Sequence, residues 1–164
     1  MINHVTIRLG EMQDLSTLVE FNVAMAKETE GIDLNPGTVT RGTKTVLLGD
    51  IHGFYMVAEH EDQILGSLLV TFEWSDWRCG CFWWIQSVYI KPEVRQQGVY
   101  RRLYAHTKAL AKQQPGVCGL RLYAMDTNEQ AHKTYAHVGM HKTGYEIFEE
   151  MICAPESTVP NSSL

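Results

Sequence analysis

The sequence predicts a mixed α/β fold, one sheet carrying helices on its faces, with elements in the order β-α-α-β-β-β-α-β-α-β. Three observations predict it. Strand-length segments alternate apolar and polar residues, and longer segments place apolar residues at three- and four-residue steps, as helices do. A run of hairpin strands then switches midway to strand–helix–strand, which calls for a sheet with both antiparallel and parallel pairs.

Residues 4–9 alternate, with Val5, Ile7 and Leu9 on one side, and read as the first strand. Over residues 11–29, Leu15, Leu18, Val19, Asn22 and Met25 recur at helical spacing; Asp14 or Ser16 can start that helix and Gly31 can end it. Pro36 suits the first position of a second, shorter helix over residues 38–48, where β-branched Thr40, Thr45 and Val46 weaken the intrinsic preference. Residues 54–60 and 64–72 form a hairpin around Glu61, Asp62 and Gln63. Residues 82–90 are the most apolar strand. Phe82, Trp84, Gln86, Val88 and Ile90 are predicted on one face and Trp83, Ile85, Ser87 and Tyr89 on the other, so both faces should be covered.

Pro92 ends that strand, and a loop leads to a helix over residues 99–114 with Val99, Leu103, His106 and Leu110 in one stripe. After Pro115-Gly116 come a strand over residues 118–125 and a helix over residues 126–137, with Asp126, Thr127 and Asn128 as available caps. Gly139 stops that helix, and residues 145–152 read as a last strand. Residues 1–153 are expected to form one domain, and the Pro-, Ser- and Asn-containing residues 154–164 a flexible tail.

A chain of 164 residues can bury a substantial core, roughly 70% of its unfolded surface. Lys plus Arg number 14 and Asp plus Glu 19, for a net charge of −5. That balance argues against nucleic acid as a partner and suits a cationic small substrate. The longest apolar run, residues 64–71, is strand-length, so no membrane partner is expected. The N-terminal residues lack the charged-then-apolar form of a secretory signal. Cys79 and Cys81 stand too close for a C-x-x-C motif, and with Cys118 and Cys153 they read as reduced thiols of a cytoplasmic protein. No metal site is expected.

The loop before the third helix, Arg95-Gln96-Gln97-Gly98-Val99-Tyr100-Arg101, carries the clearest chemical signal. A helix start presents unpaired N–H groups and the positive end of its dipole. Gly98 lets backbone approach a ligand closely, and Arg95, Arg101 and Arg102 add cations, so a phosphate or pyrophosphate is the natural guest. The alternative is that Gly98 only shapes a turn and the arginines are a solvated face; neither G-x-G-x-x-G nor G-x-x-x-x-G-K is present.

The segment Val88-Tyr89-Ile90-Lys91-Pro92-Glu93-Val94-Arg95-Gln96-Gln97-Gly98-Val99-Tyr100 resembles the acyl-CoA signature of the GNAT superfamily of N-acetyltransferases, a buried strand and then R/Q-x-x-G-x-G/A opening a helix. Asn128, Ala131, Tyr135, Gly139 and Met140 resemble the family's N-x-x-A-x-x-x-Y-x-x-x-G-[FM] pattern. The resemblance covers nearly the whole chain. It is closest to the small-amine and polyamine-type branch, because a long hairpin through Val70-Thr71-Phe72-Glu73-Trp74-Ser75-Asp76-Trp77 leads into an aromatic strand. It implies a GNAT-like central mixed, mostly antiparallel twisted sheet flanked by helices. It also implies acetyl-CoA as co-substrate and direct attack by a small-molecule primary amine in a ternary complex. Dimers are common on such a fold, which admits a homodimer. This chain departs from the pattern twice: Tyr100 stands where a second Gly or Ala is usual, and Gln86 where polyamine-type relatives often carry Glu.

The implied reaction needs a deprotonated amine, donors for an oxyanion, and a proton or tolerance for the leaving thiolate; an alkyl ammonium titrates near about 10. The resemblance assigns backbone of Val88, Tyr89 and Ile90 to the pantetheine arm, by strand addition. It assigns Arg95 and backbone of Gln96, Gln97, Gly98, Val99, Tyr100 and Arg101 to the pyrophosphate. Asn128 should hydrogen-bond the cofactor, and Tyr135 is the candidate general acid toward sulfur. Asn128 and Tyr135 lie two helical turns apart on one face, with small Ala131 between them. A core tyrosine is the alternative reading of Tyr135.

For the base, Glu73 and Glu28 are the candidates. Glu30, Trp84 and Gln86 are candidate acceptor contacts. Glu28 and Glu30 end a helix, a poor place for carboxylates by dipole logic, although a solvated face explains them too. Trp74, Trp77, Trp83 and Trp84 are either an aromatic wall for a cation or ordinary core. A protein N-terminus or lysine as acceptor, a non-catalytic acyl-CoA-binding module and a plain phosphate-binding protein are the competing functions.

Overall fold

The computed structural model describes residue 2 and residues 4–152. Cys153 and the predicted tail at 154–164 lie outside the described residues. Five strands form one sheet in the order β1-β2-β3-β4-β5, with β1 Thr6–Leu9, β2 Gly53–His60, β3 Gln63–Ser75, β4 Gly80–Ile90 and β5 Val117–Arg121. Neighbours are antiparallel from β1 to β4, and β4 and β5 are parallel. The helices are α1 Leu15–Glu30, α2 Pro36–Leu47, α3 Val99–Gln113 and α4 Glu129–His137.

Alternation along β2 splits the core between two faces. Tyr55 and Val57 pack with Leu18 and Phe21 of α1 and Val46 of α2. Met56 and Ala58 pack on the opposite face with Leu68, Val70, Trp83 and Ile85 and with Leu103 and Tyr104 of α3. Asp14, buried just before α1, receives Arg8 Nη1 and Nη2 at 2.7 and 2.9 Å, while Arg8 Nε donates to Glu59 at 2.6 Å. Burial alone would raise the Asp14 pKa. The Arg8 bonds and the Glu11 N–H outweigh it and hold the carboxyl below its ordinary range.

Three expectations are corrected. Residues 145–152 form no strand and are exposed. Alternation supplies faces, but a strand exists only where a neighbour accepts its backbone hydrogen bonds, and among the described residues none is brought to that segment. The strand predicted to reach residue 125 ends at Arg121, because β5 pairs with β4 only as far as Trp84.

The third correction concerns the faces of β4. Leu69 faces Gln86 and Ser67 faces Tyr89, so Leu68 stands opposite both Ser87 and Val88, a bulge with Ser87 at φ 48°. One extra residue reverses the alternation. Val88 and Ile90 therefore pack with the cluster of Trp83 and Ile85, and Tyr89 crosses to that of Leu18 and Phe21.

Candidate active site

Pairing between β4 and β5 runs only from Cys81 to Trp84. Beyond it opens a cleft of about 780 Å³, walled by Val88, Tyr89 and Ile90 of β4, by the loop into α3, by α4, and by the end of α1. The β4 edge is free there. Lys91 N–H donates to the Leu65 carbonyl at 2.9 Å, so the alternating Ile90 turns its carbonyl away from β3.

The start of α3 forms the second wall. Gln96 and Gly98 are left-handed, at φ 61° and 83°. The first intrahelical bond is Arg102 N–H to the Gly98 carbonyl at 3.1 Å. The N–H groups of Val99, Tyr100 and Arg101 precede it, and the N-cap is a glycine with no side chain to satisfy them. Three donors at the positive end of a helix suit an anion.

The third wall is α4. Asn128 Oδ1 accepts the Ala131 N–H at 3.0 Å, which starts the helix and leaves the Asn128 amide hydrogens as its donors. Ala131 and Tyr135 follow on the cleft side. Burial pushes the Tyr135 phenol above its ordinary range, so it keeps its proton at neutral pH.

The family model described as Acetyltransferase (GNAT) family matches residues 24–140. The chain belongs to the GNAT acetyltransferase family. A structure described as a possible acetyltransferase from Clostridium difficile 630 is 36% identical, with a TM-score of 0.85 over 93% of this chain and 100% of that one. A predicted acetyltransferase with acetyl-CoA from Clostridium acetobutylicum is 20% identical over 90% of this chain and 96% of its own, with a TM-score of 0.73. AAC(6')-Iy, in complex with the bisubstrate analog CoA-S-monomethyl-acetylneamine, is 17% identical over 92% of this chain and 100% of its own, again with a TM-score of 0.73. These last two likenesses show the fold. No curated protein matches the chain in sequence.

In this GNAT chain residues of both motifs line one cleft, but Arg95, Glu28 and Glu30 depart from their expected places. Arg95 does not extend toward the helix start. Its Nε donates to the Ile90 carbonyl at 2.9 Å and its Nη2 to Glu28 Oε2 at 2.7 Å, with the guanidinium 5.5 Å from the Tyr89 ring centre. Tyr89 donates its hydroxyl to Glu28 Oε1 at 3.0 Å. Glu28 is thus a wall of this cleft, with both oxygens engaged. Glu30 is exposed and does not line the cleft.

Tyr100 turns its ring into the junction of α3 and α4, 5.7 Å from the Tyr135 ring centre and 6.2 Å from that of Tyr104. Its hydroxyl is buried with no partner among the described residues. Burial, then the neighbouring Tyr135 and Tyr104, drive its pKa far above the phenol range. The ring packs against the core cluster of Leu103 and Tyr104.

A second cluster lies along β3, β4 and β5. Glu73 accepts from Trp84 Nε1 and from Arg121 Nη1, the latter at 2.8 Å. Arg121 lies 3.6 Å from the Phe82 ring centre, and Tyr123 packs 6.0 Å from Trp84. Gln86 donates to Thr71 Oγ1 on the same stretch of strand. Trp84 and Val88 are four residues apart, so Trp84 sits roughly 13 Å along β4 from Val88. Arg121 and Tyr123 escaped sequence reasoning; no motif marks them, and only the parallel register of Trp84 with Arg121 brings them in. The four tryptophans make no common wall: Trp83 is core, Trp84 meets Glu73, and Trp74 and Trp77 are exposed.

Proposed function

We propose that this chain transfers the acetyl group of acetyl-CoA to a primary amine of a small molecule, by direct attack within a ternary complex. The observation that carries this is the cleft itself. The free edge of β4 after the Ser87 bulge, the unpaired N–H groups at the start of α3, and Tyr135 of α4 line one cavity. A long cofactor with a diphosphate at one end and a thioester at the other matches that order of groups.

In the balanced reaction the ammonium loses one proton to water before attack, the amine nitrogen forms a bond to the thioester carbonyl carbon, the nitrogen loses its second proton as the carbon–sulfur bond breaks, and the thiolate takes up one proton, for a net release of one. Backbone of Val99, Tyr100 and Arg101 holds the diphosphate, with Gly98 allowing its approach. Val88 and Ile90 offer edge groups to the pantetheine amides, the Ile90 carbonyl through the lone pair that Arg95 leaves open. The Val88 N–H polarises the carbonyl, and Tyr135 donates a proton toward sulfur. The Asn128 amide positions the cofactor.

The Glu73, Trp84, Gln86 and Arg121 cluster forms the acceptor side. Glu73 is held by Trp84 and Arg121 as Glu28 is held by Tyr89 and Arg95, so water takes the ammonium proton. The AAC(6')-Iy complex, whose analog joins CoA to an amine-bearing small molecule, supports this acceptor class over a protein lysine or N-terminus. Release of free thiol, followed with a thiol-reactive dye across a panel of small amines and peptides, tests it. Turnover with small amines is expected. Acetyl-CoA binding without turnover on any amine would leave a binding module instead.

A further inference from the structure

Helix α4 carries Asn128 at its cap and Tyr135 on its cleft side, yet little ties it to the rest of the fold. None of its nine residues is buried. Among the described residues, every hydrogen bond and ion pair of α4 and its cap stays within residues 125–140. The Asn128 bond to the Ala131 N–H and the His132 contact with the Met125 carbonyl are both local. The ties of α4 to the core are apolar. Val138 and Met140 at its end pack on the core cluster, and Tyr135 meets the ring of Tyr100.

Tyr100 stands on a firmer element. It is the second residue of α3, beside Val99, Leu103 and Tyr104, which are 2, 0 and 6% exposed. Its ring is therefore set by α3 and the core, not by α4. The two rings meet edge to face, with planes at 65°, an arrangement that aromatic quadrupoles favour. The Tyr100 hydroxyl has no partner among the described residues, so the ring is the part of the side chain that the position uses. A Gly or Ala, which the family's pattern has at this point, would remove the contact. The backbone of the same residue contributes one of the three N–H groups that precede the first bond of α3.

We propose that Tyr100 is a positioning residue for the reaction. Its ring, fixed on α3, is the surface against which α4 sets Tyr135, and it holds the Tyr135 hydroxyl where a proton is needed. Through one residue the anion-binding start of α3 and the proton donor of α4 keep a constant separation. The inference rests on the acid role proposed for Tyr135.

The test uses Tyr100→Phe, Tyr100→Leu and Tyr100→Met, each alone and combined with Tyr135→Phe. Phe keeps the ring. Leu and Met both suit a helix, and having two shapes keeps the test open where one does not fold. On the free protein, hydrogen–deuterium exchange over residues 129–138 is expected to quicken at least about fivefold in the Leu and Met variants and to stay at the wild-type rate in Tyr100→Phe. With acetyl-CoA and the best amine of the panel, Leu and Met are expected to lower kcat at least about tenfold and to leave the acetyl-CoA Kd within about threefold. Tyr100→Phe should retain kcat within about twofold, and in the Tyr135→Phe background Leu and Met should cost less than about twofold more. Wild-type kcat in Tyr135→Phe would overturn the acid reading and this inference with it. With Tyr135→Phe impaired, three results would overturn the positioning role alone: unchanged α4 exchange in the Leu and Met variants, a kcat loss as large without the Tyr135 hydroxyl as with it, or a Tyr100→Phe as impaired as Tyr100→Leu.

Discussion

Arg95 reaches back from the loop before α3 to Glu28 at the end of α1, with Nη2 and Oε2 2.7 Å apart. The pair is partly exposed, so its own contribution is small, about 0–1 kcal/mol. Its consequence is positional: Arg95 also engages the Ile90 carbonyl, so α1, β4 and the loop before α3 are joined at one point. Glu28→Gln and Arg95→Ala are each expected to weaken acetyl-CoA binding by less than about tenfold. The double variant should be little worse than either alone, a coupling measured by calorimetry on all four proteins. If Arg95 instead served the diphosphate, Glu28→Gln would tighten binding.

Gly98 holds φ at 83° and a side chain there would meet only Arg101, at 3.8 Å. Space therefore permits Gly98→Ala, at about 1–2 kcal/mol of backbone strain. Gly98→Glu adds a negative charge where the diphosphate should sit. It is expected to weaken acetyl-CoA binding by more than about a hundredfold, which is about 2.8 kcal/mol. Retained binding in calorimetry would remove the diphosphate from the start of α3.

Tyr135→Phe keeps the ring and removes the proton donor. The rate constant kcat should fall by about a hundredfold, while the acetyl-CoA Kd stays within about threefold. Equal activity would remove the acid role. Because burial raises the Tyr135 pKa, the donor stays protonated through neutral pH, and its loss should appear only above about pH 10.

Stability in alkali follows from the same direction of shift. Tyr89, Tyr100, Tyr104 and Tyr135 are all raised, with burial the leading cause in each. A raised folded-state pKa contributes stability that is complete below the unfolded value, about 10, and is lost as pH rises through the folded one. Thermal melts should therefore drop steeply above about pH 10. The drop should be shallower in Tyr100→Phe.

That variant should also be more stable at neutral pH. The Tyr100 hydroxyl is buried with no partner among the described residues, and such a group costs about 1–3 kcal/mol. Removing it is expected to raise Tm of the free protein by at least about 2 °C. A lower Tm would mean that the hydroxyl has a partner in solution.

Local pattern carried most of the fold. Val5, Ile7 and Leu9 announce β1, and Pro36 with Asn35 announces α2, because propensity and capping act over a few residues. What stayed hidden was relational. The bulge at Ser87 has no compositional mark, yet it moves Val88, Tyr89 and Ile90 to new faces. Glu28 and Arg95 are 67 residues apart, so their pairing exists only in the fold. Residues 145–152 show a strand's alternation, but alternation alone does not supply a neighbour to pair with, and they form no strand.

The most direct measurement is a crystal structure of the protein with coenzyme A. The diphosphate is expected on the amides of Val99, Tyr100 and Arg101, the pantetheine arm along Val88 and Ile90 between β4 and α4, and the sulfur within hydrogen-bond reach of the Tyr135 hydroxyl. Coenzyme A seated outside that cleft, or with its sulfur remote from Tyr135, would contradict the account.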